Sequence, residues 1–157
     1  MSLSQKLIDQ LAIHEGVKRF AYKCPAGKWT IGVGRNIDED GGIGLSDAEV
    51  YTLLRNDVAR VDRELDDAFE WYSLLDQVRK DALCNLSFNL GLPRLMKFQK
   101  ALGHLAADRY KESAEEFLDS LWATQVGQRA LDVAHMVEFG ESRDRDWETS
   151  STWAVLS

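Results

Sequence analysis

The sequence is poor in cysteine. Only Cys24 and Cys84 occur in 157 residues, too few for a disulfide framework, and in a reducing compartment both are expected as free thiols. No apolar run reaches the length of a membrane-spanning helix, so no stable membrane insertion is expected. The start, "MSLSQKLIDQLAIHEG", is amphipathic, with Asp9 and Gln10 inside it. It lacks the basic region and unbroken apolar region of a secretory signal, and synthesis and folding in a cytoplasm are expected. An excess of basic charge is missing too. Lys plus Arg number 19 against 26 Asp plus Glu, a net charge of −7, which argues against nucleic acid as a partner. His14, His104 and His135 are scattered, with no metal-ligand spacing to one another or to the cysteines. No metal and no cofactor is expected, and there is no internal repeat or low-complexity segment.

What is present reads as one mostly helical domain. A chain of this length buries roughly two thirds of its unfolded surface and needs no covalent staple. Leu7, Ile8, Leu11 and Ala12 recur at helical spacing after Ser4, predicting a helix over 4–15 that stops at Gly16 and carries Glu15 at its end. Residues 18–34 switch to period two. "RFAYK" and "WTIGVG" alternate around "CPAGK", whose Pro and Gly make a turn, so a β-hairpin is predicted. Trp29, Ile31 and Val33 are expected on one face and Thr30 and Gly32 on the other. Residues 35–45 read as a polar loop. "SDAE" at 46–49 reads as a capping box, opening a helix to about 68 that is long enough to link two parts of the molecule. The helical stretch ending in "NLSFNLG" is expected to close at Gly91 and Pro93. Helical patterns continue over 95–106, 108–119 and 127–138. The tail, 141–157, holds Trp147 and Trp153 and is left unassigned. The expected fold class is α+β: a small β-hairpin lobe at about 16–45, a linking helix at about 46–68, and a helical lobe at about 69–140 to which the N-terminal helix belongs.

Three residues around the hairpin carry chemistry. Glu15 reads either as a solvated acid or as a carboxyl partly desolvated by the apolar helix face, Phe20 and Tyr22. Desolvation raises a carboxyl's pKa and suits a general acid. Thr30 reads either as a plain β-former or as a hydroxyl facing a cleft. Cys24 reads either as a small hydrophobe in a tight turn or as a thiolate favoured by the nearby Lys23 and Lys28. Cys84, among Leu83, Leu86 and Phe88, reads as inert core.

The order Glu15, eight residues, Cys24, five residues, Thr30, set in "HEGVKRFAYKCPAGKWTIGVG", resembles the phage-type lysozymes, the endolysin muramidases of glycoside hydrolase family 24. "RKDALCNLSFNLG" resembles the family's central core helix. In "WATQVGQRA", Trp122 and Arg129 match a Trp and an Arg at the same separation. The resemblance runs from about residue 4 to about 140. It implies a lysozyme-like fold and a glycoside hydrolase. The enzyme would cleave the β-1,4 bond between N-acetylmuramic acid and N-acetylglucosamine in peptidoglycan. It implies Glu15 as the general acid, Thr30 as a holder of water or substrate opposite it, and Arg129 as the partner that sets the position and charge of Glu15. Asn85 and Asn89 match polar positions of the helical lobe and are taken as supporting or substrate-binding.

The sequence departs from the family at Cys24, where aspartate is usual, in a shorter 35–45 loop, and in the tail. A thiolate there has the charge of a carboxylate and is the better nucleophile. It would act as nucleophile or as base, or its presence would mark a chain that grips peptidoglycan without cleaving it. The implied setting is a monomer made in the host cytoplasm, reaching the wall in the periplasm after membrane permeabilisation by a holin. Because the wall carries carboxylates, Lys18, Arg19, Lys23, Lys28 and Arg35 are expected to make the hairpin lobe locally basic, with the acidic excess on 57–70 and 108–119.

Overall fold

A computed structural model describes residues 4–142; the tail beyond, with Trp147 and Trp153, lies outside the described residues. The chain forms two compact units, one up to Val50 and one from Tyr51 on.

The first unit holds helix α1 (Gln5–Glu15) and three strands, β1 (Lys18–Lys23), β2 (Trp29–Gly32) and β3 (Arg35–Asn36). Ser4 stands at the start of α1, and Gly16 follows it with its N–H on the Ala12 carbonyl at 3.0 Å. The sheet is antiparallel in the order β1-β2-β3. Tyr22 lies opposite Thr30 and Lys23 opposite Trp29, with the register shifted between Lys18 and Tyr22. The connection between β1 and β2 is a three-residue loop. Cys24 N–H donates to the Lys28 carbonyl at 2.9 Å, Gly27 N–H donates to the Cys24 carbonyl at 2.8 Å, and Gly27 has φ +78°. Pro25 suits the first corner of such a loop, and Gly27 supplies the left-handed residue that lets the strands pair.

One expectation about this unit needs correction. The sheet has a third strand: Arg35 and Asn36, read as loop, pair with Ile31 and Thr30. A two-residue strand leaves no alternating pattern to detect. The two faces of β2 are covered unequally. Thr30 is 4% exposed, while Trp29 and Val33 are 46% and 42% exposed. Thr30 sits on the central strand, flanked by Tyr22 and Asn36, and its hydroxyl is satisfied at the Lys28 carbonyl, 3.0 Å away. Burial of this polar side chain therefore carries little cost.

Helix α2 (Asp47–Ala68) contains the boundary between the units. Its start is the expected capping box: Glu49 N–H donates to Ser46 Oγ at 3.2 Å, and Ser46 N–H to Glu49 Oε2 at 2.8 Å. Arg35 adds an ion pair to the same carboxylate.

The second unit is a helical bundle. After a one-turn 3-10 helix (Tyr72–Leu74) come α3 (Gln77–Leu90), α4 (Leu92–Leu95), α5 (Gln99–Ala106), α6 (Tyr110–Leu118), α7 (Leu121–Val126) and α8 (Gln128–Phe139). Helix α6 packs between α5 and α8, and α8 also packs on α3. Leu65, Leu83, Leu86, Leu95, Leu105, Phe117, Val133 and Val137 are fully buried at the centre. Each contributes about 1.5–3 kcal/mol by leaving water. Asp76 caps α3 by accepting the Arg79 N–H, and Ser120 caps α7 by accepting the Ala123 N–H. Pro93 does not seal α3 as expected. It lies in the first turn of α4, where its missing N–H costs nothing. Helix α7, six residues long, is too short to show a periodic apolar face.

Candidate active site

In the first unit, Cys24 and Thr30 are brought together at the turn end of the hairpin. Cys24 is half-buried. Its thiol is held below the ordinary value, first by the Lys28 main-chain N–H; burial opposes this, and the Ala26 N–H and the Thr30 hydroxyl add to the lowering. Hydrogen bonds to the ionised form are what favour the thiolate. The Thr30 hydroxyl has one proton. It goes to the Lys28 carbonyl in this structure, and an ionised Cys24 sulfur competes for it.

The lysine ammonium groups, expected to favour the thiolate, are engaged elsewhere. Lys28 Nζ pairs with Asp40 Oδ2 at 2.8 Å, and Lys23 Nζ lies over the Trp29 ring, 4.7 Å from its centroid. Lys28 acts on the sulfur through its backbone instead. Asp38 accepts the Trp29 N–H at 3.0 Å and the Asp40 N–H at 3.1 Å. Those two N–H groups, then the charges of Lys28 and Lys23, hold its carboxyl below the usual range. The hairpin is basic in sequence, with five cations and no acid over 17–35. The acids that follow directly, Asp38 and Asp40, fold back onto it and partly neutralise it.

Glu15, the last residue of α1, is exposed rather than desolvated. Its carboxyl lies against Gly34: a Cβ at that glycine would stand 3.1 Å from Glu15 Oε2. Gly34 follows Thr30 by four residues, a chain span of at most about 14 Å. Sequence reasoning missed Gly34, whose only signal was its place in "GVG".

In the second unit, the expected supporting residues form two polar contacts. Arg129 Nε donates to Asn85 Oδ1 at 2.8 Å, and Arg129 Nη2 to the Asn85 carbonyl at 3.1 Å. Trp122 Nε1 donates to Asn89 Oδ1 at 2.8 Å. Asn85 and Asn89 lie one turn apart on α3 and so share a face. With their oxygens engaged, their NH2 groups remain as donors. Cys84 is half-buried, with its sulfur 3.3 Å from the Tyr72 hydroxyl, and burial pushes its thiol up. The thiolate form is disfavoured there. Among the described residues no group of three or more His, Cys, Asp or Glu side chains could hold a metal ion.

A mostly helical α+β chain with a carboxyl, a thiol and a hydroxyl around a small antiparallel sheet has the make-up of a lysozyme-type glycosidase. The phage lysozyme family matches residues 12–135, and the chain belongs to that family. It is similar to probable T4-type lysozyme 2 of Dictyostelium discoideum, 29% identical over 164 residues, covering 88% of this chain and 96% of the relative. It is also similar to the endolysin of Acyrthosiphon pisum secondary endosymbiont phage 1, 30% identical over 129 residues, with 82% and 86% covered. The SAR-endolysin of Haemophilus phage HP1 (strain HP1c1) is 34% identical over 89 residues, with 57% and 47% covered. Family and relatives together support a lysozyme or endolysin function. Among the described residues no helix is long and apolar enough to cross a membrane.

Proposed function

We propose that this chain is an endolysin that hydrolyses the β-1,4 bond between N-acetylmuramic acid and N-acetylglucosamine in peptidoglycan. Glu15 is the general acid and the Cys24 thiolate the second group. The observation that carries this reading is the meeting of Cys24 and Thr30 at the turn end of the hairpin, where the Lys28 and Ala26 N–H groups and the Thr30 hydroxyl hold the thiol below its ordinary value, toward the charge a catalytic carboxylate has.

Glu15 gives its proton to the glycosidic oxygen as the bond from that oxygen to the anomeric carbon breaks. Cys24 takes a proton from a water, held beside it by Thr30, whose oxygen bonds to the same carbon. Cys24 then returns its proton to solvent and Glu15 regains one. This order inverts the anomeric configuration, as in glycosidases that activate water. Arg129, Asn85 and Asn89 are the supporting polar set of the helical unit. The enzyme works as a monomer, made in the host cytoplasm and released to the wall through a membrane lesion.

The test is turbidity loss of outer-membrane-permeabilised Gram-negative cells, with mass spectrometry of the released glycans. Glu15→Gln and Cys24→Ser are expected to lose lysis, and Cys24→Asp to keep it, with inverted product. Equal lysis by Glu15→Gln and wild type rejects the acid assignment. An inactive Cys24→Asp with a retained anomer in the wild type makes sulfur a covalent nucleophile instead. No lysis by the wild type, with sedimentation on peptidoglycan retained, makes the protein a binder.

A further inference from the structure

The Glu15 carboxyl rests on a residue with no side chain. Gly34 lies in the turn between β2 and β3 with φ +69°, and a Cβ there would come 3.1 Å from Oε2, 3.4 Å from Cδ and 3.5 Å from Cγ of Glu15. The end of the glutamate therefore runs along the face from which a side chain at 34 would project. Gly32, two residues earlier, has φ +70°, and the same Cβ would meet nothing within 4 Å. Both glycines hold a backbone conformation that L side chains rarely adopt. They differ in the contact with Glu15.

We propose that Gly34 is a positioning residue for the acid. Its bare backbone leaves the slot in which the Glu15 carboxyl is held relative to Cys24 and Thr30. The inference rests on the reading of Glu15 as general acid. Within the first unit no hydrogen bond or ion pair to the described residues holds this carboxyl, so its packing on Gly34 sets where the proton is delivered. A methyl at 34 moves the acid away from that position. A general acid works only within hydrogen-bond reach of the oxygen it protonates; the carboxyl must give by a few tenths of an ångström, a fraction of the displacement of about 1 Å that costs about 10²-fold in rate.

The test compares Gly34→Ala with Gly32→Ala. Both carry the same backbone strain, so both are expected to lose similar thermal stability. Gly34→Ala is expected to lower kcat on purified peptidoglycan by about three- to tenfold, leave KM within about twofold, and shift the limb of the kcat–pH profile that belongs to the acid. Gly32→Ala keeps the wild-type kcat and profile. Equal kcat in the two alanine variants overturns the proposal and reduces Gly34 to a turn former. Glu15→Asp keeps the glycine and retracts the carboxyl from it, so it is expected to lose kcat even where Gly34→Ala does not fold. Full activity in Glu15→Asp also overturns the proposal. Glu15→Gln separates the two readings. If it is fully active, the acid assignment itself fails. If it is inactive while both alanine variants match, only the role of Gly34 fails.

Discussion

Replacing Arg79 by alanine tests what holds the helical unit in the form that carries Asn85, Asn89 and Arg129. Arg79 sits in the first turn of α3, with its side chain 13% exposed. Its Nε donates to the Val137 carbonyl at 2.7 Å, and Nη2 to the Glu138 carbonyl at 2.8 Å. These belong to the last turn of α8, whose carbonyls have no partner within the helix. Nη1 pairs with Asp76 at 2.9 Å, and the guanidinium lies 3.5 Å from the Tyr110 ring centroid. The two bonds from a charged donor contribute about 1.5–3 kcal/mol each, and the ring contact about 1 kcal/mol. The Asp76 pair, whose acid is 42% exposed, adds less than about 1 kcal/mol. Because these share one group and are not additive, the expected loss for Arg79→Ala is about 4 kcal/mol. With a urea slope of about 1–3 kcal/mol/M, the unfolding midpoint falls by roughly 2 M. Arg79→Lys keeps the charge near the end of α8 but not the planar fork, and is expected to lose about half as much. A loss below about 1 kcal/mol for alanine, or a lysine variant as stable as the wild type, refutes the idea that this guanidinium joins α3 to α8.

At neutral pH iodoacetamide is expected to alkylate Cys24 before Cys84, since hydrogen bonds hold the first thiol down and burial pushes the second up. The rate at Cys24, followed by mass spectrometry, should rise with pH through a midpoint below the ordinary thiol value, and Thr30→Val should move that midpoint up. Prior labelling of Cys84 counts against this. Glu49 is held below the usual carboxylate value, first by its hydrogen bond to Arg35 and then by the Ser46 N–H. A depressed folded pKa stabilises the fold above the unfolded pKa, and the contribution is lost as pH falls through the folded one. Glu49→Gln should therefore flatten the fall in stability as pH drops through and below the ordinary carboxylate range, and an unchanged slope would exclude Glu49 as a source of acid sensitivity.

How much was legible in the sequence depended on how local the cause was. The capping box at Ser46 and Glu49 lies within four residues, and it formed as read. So did the turn around Pro25 and Gly27, because hairpin pairing across a short loop leaves few alternatives. The charge argument for Cys24 pointed in the right direction for the wrong reason. Lys28 does favour the thiolate, but through its N–H, because its ammonium is drawn to Asp40, twelve residues on. Which face of β2 is covered was not legible. Alternation gives two faces but not which is covered, and the buried one holds Thr30, opposite Asn36 of a strand too short to show a period. Gly34 was the least legible of all. Its importance lies in an absent side chain, and the group that needs the room, Glu15, ends a helix nineteen residues earlier. A glycine with φ +69° and one with φ +70° are the same letter two residues apart; only the carboxyl beside one of them makes the two positions chemically different.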